Sequence, residues 1–471
     1  MTLDLRGILI LSIGAFIYSV LLPSRWRGWA LLIISVIGVY VFQPFLPIRF
    51  SDFILPTVTI GLTVTGWWFT RPKDSAFERS NAITLLVIVA LVIGLALMRF
   101  LPAEWRITPS RPPDPLLVAL ALLVVGGLVV VGRRVLSLTG LVLLIVALFV
   151  LLKAEPLAQM ISGAWRGGTG QDVALASAFD LNWIGFSYIA FRLIHTIRDR
   201  QQGLLPALTL REYATYVLFF PAFVAGPIDR AERFVKDFRA LPELVGMDAV
   251  RWSDGLGRIA MGLFKKFVIA DSLALGMALN PTIADQTTTP GSFILLLYGY
   301  ALRLFFDFSG YTDIAIGIGI LFGIRLPENF NRPYFKSNLT AFWQSWHMTL
   351  SAWARAYVFS PLSRALIKRK WNSTLNVLIA QLATMIVIGL WHGITLNFLM
   401  WGIWHGVGLF IHKQWSDRTR AWYRGLNNKP TQKRAWTAVS WFITFHYVVI
   451  GWLWFVLPLD QTARILFGGG A

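Results

Sequence analysis

Apolar runs separated by short polar joints repeat along the first third of the chain. Residues 8–22, 28–45, 53–69, 82–100, 116–131 and 135–152 each approach or reach the roughly 17–25 apolar residues that a helix needs to cross a bilayer. The joints at 23–27, 70–80 and 102–115 carry Pro, Arg and other polar residues. The opening MTLDLRG has neither a cationic leader region nor a small-residue cleavage site, so the first run is expected to be a retained span. Few ionisable groups interrupt these runs. Residues 1–152 are therefore expected to form a transmembrane scaffold, with Gly126 and Gly127 at a close helix contact.

From Lys153 the pattern changes. WRGGTGQDVALASAF reads as a loop or partly re-entrant connection, and the apolar run that follows it carries Arg192 and His195. Pro221, Gly226 and Pro227 stop the next short run; such breakers are tolerated at membrane depth where protein or a cavity re-satisfies the backbone. Residues 229–266 are basic and amphipathic, a pattern suited to the cytoplasmic interface and to docking an acidic partner.

A straight helix over 293–322 would measure about 45 Å, beyond the ~30 Å hydrocarbon core, so a break is expected near Gly310. Asp307 and Asp313 in this run should cap the break, pair with Arg303 or Arg325, or face water. Further on, Trp343, Trp346, Leu350 and Trp353 fall on one stripe of a helix, with His347 just off it and Ser351 and Arg355 following.

Residues 375–411 form an apolar run of 37, too long for one crossing. Basic clusters flank it on both sides, which requires an even number of crossings if both lie in the cytoplasm. The run should be a hairpin with its corner at GLWHGIT, placing His392 at a turn below the outer face. A last span is expected at 441–456, with His446 near its start.

Composition sharpens this picture. Hydrophobic residues make up 56% of the chain and charged residues 14%, against about half and a quarter in soluble domains. The chain is expected to be an all-α polytopic membrane protein. The net charge of +19 sits in clusters between spans, which fits the positive-inside rule and contact with anionic membrane lipid; nucleic acid is not an expected partner. Without cysteine, disulfides, zinc–thiolate sites and cysteine nucleophiles are excluded. Four of six histidines lie between 329 and 412, three of them directly after a tryptophan. An ionisable group at membrane depth is costly and points to function, although a buried histidine bonded to a neighbouring helix is the plainer alternative. His392 and His405 are 13 apart with acids distant in sequence, so no metal is expected. What remains is an imidazole at a backbone turn, suited to act as a general base on a hydroxyl.

Several motifs follow one another in a recognisable order: FFPAFVAGPIDR at 219–230, GLFKKFVIAD at 262–271 and DFSGYTDIAIGIGILFGIRLPENFNRPY at 307–334. FWQSWHMTLSAWARAYVFSPL at 342–362, GLWHGITLNFLMWGIWHG at 389–406 and TFHYVVIGWLWF at 444–455 complete the series. In these the chain resembles the membrane-bound O-acyltransferase (MBOAT) family, in its bacterial branch of alginate O-acetylation and D-alanyl transfer proteins. The resemblance implies about 11–13 transmembrane or re-entrant helices in a ring around a central passage, with residues 153–471 as the catalytic core.

It further implies a multi-pass enzyme of the bacterial cytoplasmic (inner) membrane. A cytoplasmic thioester donor, acyl-CoA or an acyl-carrier protein, would serve as substrate with no bound cofactor. The acceptor would be an extracytoplasmic glycan or a partner acyltransferase. His392 would be the general base and His347 would assist, with Asp307, Asp313, Asn331, Trp346, Arg355 and Trp391 supporting or lining the passage. The branch usually has two arginines where this chain has Gln344 and Ser345, and Asp where it has Ala356, departures that bear on the donor side. Two other functions share this pattern: an acyltransferase acting on a membrane lipid, and a non-enzymatic transporter or acyl-passing channel. A transporter should show repeated halves, and no such symmetry is seen here.

Overall fold

The computed structural model describes residues 5–72, 76–246 and 248–467. Their regular elements are all helices, without strands, as expected for a chain that must satisfy its backbone inside a bilayer. Part of the joint at 70–80 and the extreme N-terminus lie outside the described residues. Among the described residues, six helices are long and apolar enough to cross a membrane, or seven if the bent pair Leu138–Lys153 and Glu155–Gly168 is one span. Other helices, such as Leu5–Val20, Arg27–Val41 and Leu396–Arg418, are shorter or more polar, so fewer clear spans are present than the expected 11–13 transmembrane or re-entrant elements.

Two compact units are present. The first comprises Met1–Ile259 with Ala315–Leu326, and the second Ala260–Ile314 with Pro327–Ala471. In the first unit the glycine-rich connection after Lys153 begins as the helix Glu155–Gly168, which turns by 88° from its predecessor. Arg166 anchors it, donating to the buried Asp180 at 2.7 Å. The expected close contact at Gly126 and Gly127 does not form: nothing lies within 4 Å of where either Cβ would sit, and the Pro115–Val135 helix is largely exposed along its apolar sides.

The expected break near Gly310 is also absent. Pro290–Leu321 is one α-helix of 32 residues. Its carboxylates need no break because lysines reach them: Asp313 pairs with Lys265 at 2.6 Å, and Asp307 pairs with Lys266. Neither Arg303 nor Arg325 is used for this. Gly310 serves close packing instead. A Cβ there would lie 2.8 Å from the Gly262 carbonyl oxygen, and one on Gly262 would lie 2.6 Å from that of Gly310. This approach lets Lys265 and Lys266, at the start of the π-helical turn Phe264–Ala270, reach acids that would be costly to leave unpaired.

The run at 375–411 is the expected hairpin. Its first arm is Ser373–His392 and its second Leu396–Arg418, joined by three residues. Glycines let the arms touch: a Cβ on Gly389 would sit 2.2 Å from the Phe398 carbonyl oxygen, and one on Gly402 2.7 Å from that of Met385. The last span, Pro430–Gly451 continuing to Val456, lies in the same unit.

Candidate active site

All residues singled out around the hairpin fall within the second unit. The tryptophan stripe at 343–353 is not one helix. Leu339–Trp343 ends, and Met348–Ala354 begins after a turn in which His347 takes the left-handed conformation at φ 42°. For a side chain of that size the conformation costs about 1–2 kcal/mol, and Asn329 supplies compensation. Its Oδ1 accepts from the Thr349 N–H at 3.2 Å and the Thr349 hydroxyl at 2.8 Å, and its carbonyl oxygen accepts from Met348 N–H at 2.9 Å.

That bonding fixes the tautomer of His347. An oxygen that accepts from a backbone N–H cannot donate, so the contact between His347 Nδ1 and Asn329 Oδ1, at 3.2 Å, carries its proton on Nδ1. Nε2 is then a lone-pair acceptor. It is buried and has no hydrogen-bond partner among the described residues. Phe308 packs against the ring edge-on at 4.8 Å, and Trp391 lies 6.0 Å away on another side.

His392 is the last residue of the first arm, with Gly393 following in extended backbone. Its imidazole is half-buried. Trp391, at 4.5 Å, and Phe455, at 4.7 Å, pack against it edge-on, and Phe398 stacks at 5.7 Å. Trp401 lies 5.7 Å away and 4.9 Å from His405, which is wholly buried. Trp391 thus touches the rings of both His347 and His392, and Trp401 those of both His392 and His405. Neither ring nitrogen of His405 has a hydrogen-bond partner among the described residues; Trp343, Tyr447 and Trp452 complete its walls.

The other expected residues are placed as follows. Trp346 is buried among Phe330, Phe342 and Trp452. Asn331 and Arg355 are exposed, and Asn331 contributes its backbone N–H to the Ser345 carbonyl oxygen at 2.9 Å. Ser345 is buried, and its hydroxyl donates to the Ala341 carbonyl oxygen at 2.8 Å. His412 bonds Thr340 through Nδ1 at 3.1 Å. His446 donates from Nδ1 to the Phe442 carbonyl oxygen and so accepts from the Tyr298 hydroxyl at Nε2. Asn329 and Trp401 were not anticipated. Asn329 had a signal in the repeated Asn of ENFNRP, but only the fold tells the two asparagines apart.

Among the described residues, one cluster has metal-ligand types within reach of one another: His195, Asp199 and Glu232, in the first unit. Arg230 already bridges its carboxylates, at 3.1 Å from Asp199 and 2.8 Å from Glu232, and offsets half of the charge a cation would need.

Comparison with known proteins decides the family. The model of MBOAT, the membrane-bound O-acyltransferase family, matches residues 136–454. The chain belongs to the membrane-bound O-acyltransferase family. As an enzyme of that family it is a multi-pass membrane protein, and its relatives are bacterial. It is similar to a teichoic acid D-alanyltransferase of Streptococcus thermophilus, 38% identical over 297 residues, covering 58% of this chain and 68% of that protein. It is also similar to a probable alginate O-acetylase AlgI of Pseudomonas fluorescens, 37% identical over 286 residues, 60% of this chain and 53% of that one. A peptidoglycan O-acetyltransferase of Helicobacter pylori is 34% identical over 264 residues, 55% of this chain and 46% of that protein. The chain spans about two thirds of the first relative and about half of the other two.

Proposed function

We propose that this O-acyltransferase moves an acyl group, acetyl or similar, from a cytoplasmic thioester to a hydroxyl of an extracytoplasmic polysaccharide, teichoic acid or glycolipid. Family membership supports the reaction class, and relatives named for alginate, teichoic acid and peptidoglycan support the acceptor class. The observation that carries the reading is the position of His392: an imidazole ending an apolar helix at the turn of a hairpin, half-buried and walled by aromatic rings.

In this reading His392 takes the proton of the acceptor hydroxyl as its oxygen attacks the thioester carbonyl. The C–O bond forms, the C–S bond breaks, and the departing sulfur takes the proton from the imidazolium. The first arm presents the negative end of its dipole to that imidazolium. His347 assists through Nε2 as a second acceptor, and Trp391 separates the two rings. Asp307 and Asp313 act as supports through their lysine pairs, while Trp346, Asn331 and Arg355 line or brace the approach. The donor is an acyl-CoA or an acyl-carrier protein, and the enzyme sits in the bacterial cytoplasmic membrane.

The test is the ester content of envelope polymers in cells expressing wild type or His392→Ala at matched membrane abundance. Loss of ester is expected; retained ester rejects His392 as the base.

A further inference from the structure

A cleft of about 930 Å³ opens where the end of the second hairpin arm meets the helix Pro430–Gly451. Neither His347 nor His392 lines it. Ile411, Trp415, Trp436 and Ile443 make its apolar wall, and Arg420 and Arg424 stand at its polar end. A neighbouring cavity of about 660 Å³ shares Ser337 and Thr437 with it and adds Lys433 and Arg434. Among the described residues no carboxylate lines either cavity; Asp417, at the end of the same arm, is paired with Lys413 and feels Arg420 more weakly, which leaves Arg424, Lys433 and Arg434 in excess. The charge is therefore one-sided, and a ligand must bring the anion.

The apolar wall does not stop at the cleft. Ile411 is 60% exposed, Ile443 57% and Phe442 56%, so hydrocarbon surface continues out of the cleft along both helices. Trp415 is half-exposed beside the basic end, the arrangement of an interfacial anchor. A purely soluble anion would leave that surface uncovered, and a neutral lipid would leave the arginines unmatched. A molecule with a phosphate at one end and a hydrocarbon chain at the other matches both.

We propose that this cleft binds an anionic membrane phospholipid, its phosphate held by Arg420 and Arg424 and an acyl chain lying on Ile411 and Ile443. The same cleft is lined by Ser337, Asn338 and Leu339, which lead into the helix Leu339–Trp343, and by His412, which bonds Thr340 of that helix. A bound lipid therefore braces the helix whose Trp343 packs on His405. This assignment does not depend on which histidine is the base.

The test reconstitutes the full chain in nanodiscs of phosphatidylcholine with added phosphatidylglycerol, and measures lipid retained on the protein by native mass spectrometry after transfer to detergent. Phosphatidylglycerol should be enriched over phosphatidylcholine. Its apparent affinity should fall about thirty-fold in R420A/R424A, the effect of removing two surface charges. R420K/R424K should keep most of it and guards against a folding defect. K368A/R369A, which removes two exposed charges outside the cleft, should leave it unchanged. Equal weakening in the two alanine pairs, or equal retention of the two lipids, overturns the site. Displacement by inorganic phosphate or ATP overturns the lipid assignment in favour of a soluble phosphate.

Discussion

His195 in the first unit and His347 in the second are both buried histidines, yet their surroundings are opposite in kind. His195 Nε2 accepts from the Ala231 N–H at 3.1 Å, and Nδ1 faces Asp199 at 3.5 Å. Arg230 ties Asp199 to Glu232, so both ring nitrogens are occupied within a charged network. His347 gives Nδ1 to Asn329 and leaves Nε2 without a partner among the described residues, while His405 leaves both nitrogens so, among aromatic rings. A buried polar atom without a partner costs about 1–3 kcal/mol. The first arrangement stabilises a fold; the second holds acceptor capacity in reserve at some cost to stability. A histidine of the second kind calls for a reason other than folding.

The largest effect that sharpens this distinction belongs to His392→Ala. Acyl transfer should fall about 10²–10⁴-fold, the usual span for losing a general base, with thermal unfolding in detergent unchanged. His195→Ala should do the reverse. Opening its buried charged network should cost about 3 kcal/mol in thermal or denaturant unfolding, with activity per folded molecule retained. If it instead abolishes activity in fully folded protein, the two regions do not differ as described.

The sequence made the hairpin legible because physical constraints converge on it: length, matched basic flanks and a glycine pair at the turn. Family motifs in the right order made the reaction class legible as well. The continuous helix Pro290–Leu321 was not legible. Its carboxylates looked too costly to leave in a straight span, and the lysines that neutralise them lie 41 and 48 positions earlier in the chain. The turn at His347 was hidden for a related reason. Tryptophans at helical spacing imitate one stripe, and only the bonds from Asn329, 18 residues before His347, stabilise a left-handed residue between two short helices.

Smaller effects test the supports of the second region. Gly389→Ala would drive a Cβ into the Phe398 carbonyl oxygen, part the hairpin arms, and cost about 2 kcal/mol on the scale of overpacked cores. Because His392 ends the first arm, activity should fall along with melting temperature. Asn329→Ala removes the acceptor shared by His347 and Thr349 and should cost about 1–2 kcal/mol. The smallest change is expected of His405→Phe. With no hydrogen bond to lose and an aromatic box to fill, it should move unfolding by less than about 1.5 kcal/mol.

The most direct measurement places two histidine variants side by side: envelope ester per folded membrane protein in cells carrying His392→Ala or His195→Ala, with abundance matched by quantitative blotting. The account predicts ester at background for His392→Ala and near the wild-type ratio for His195→Ala. Wild-type ester in the His392→Ala cells would contradict it.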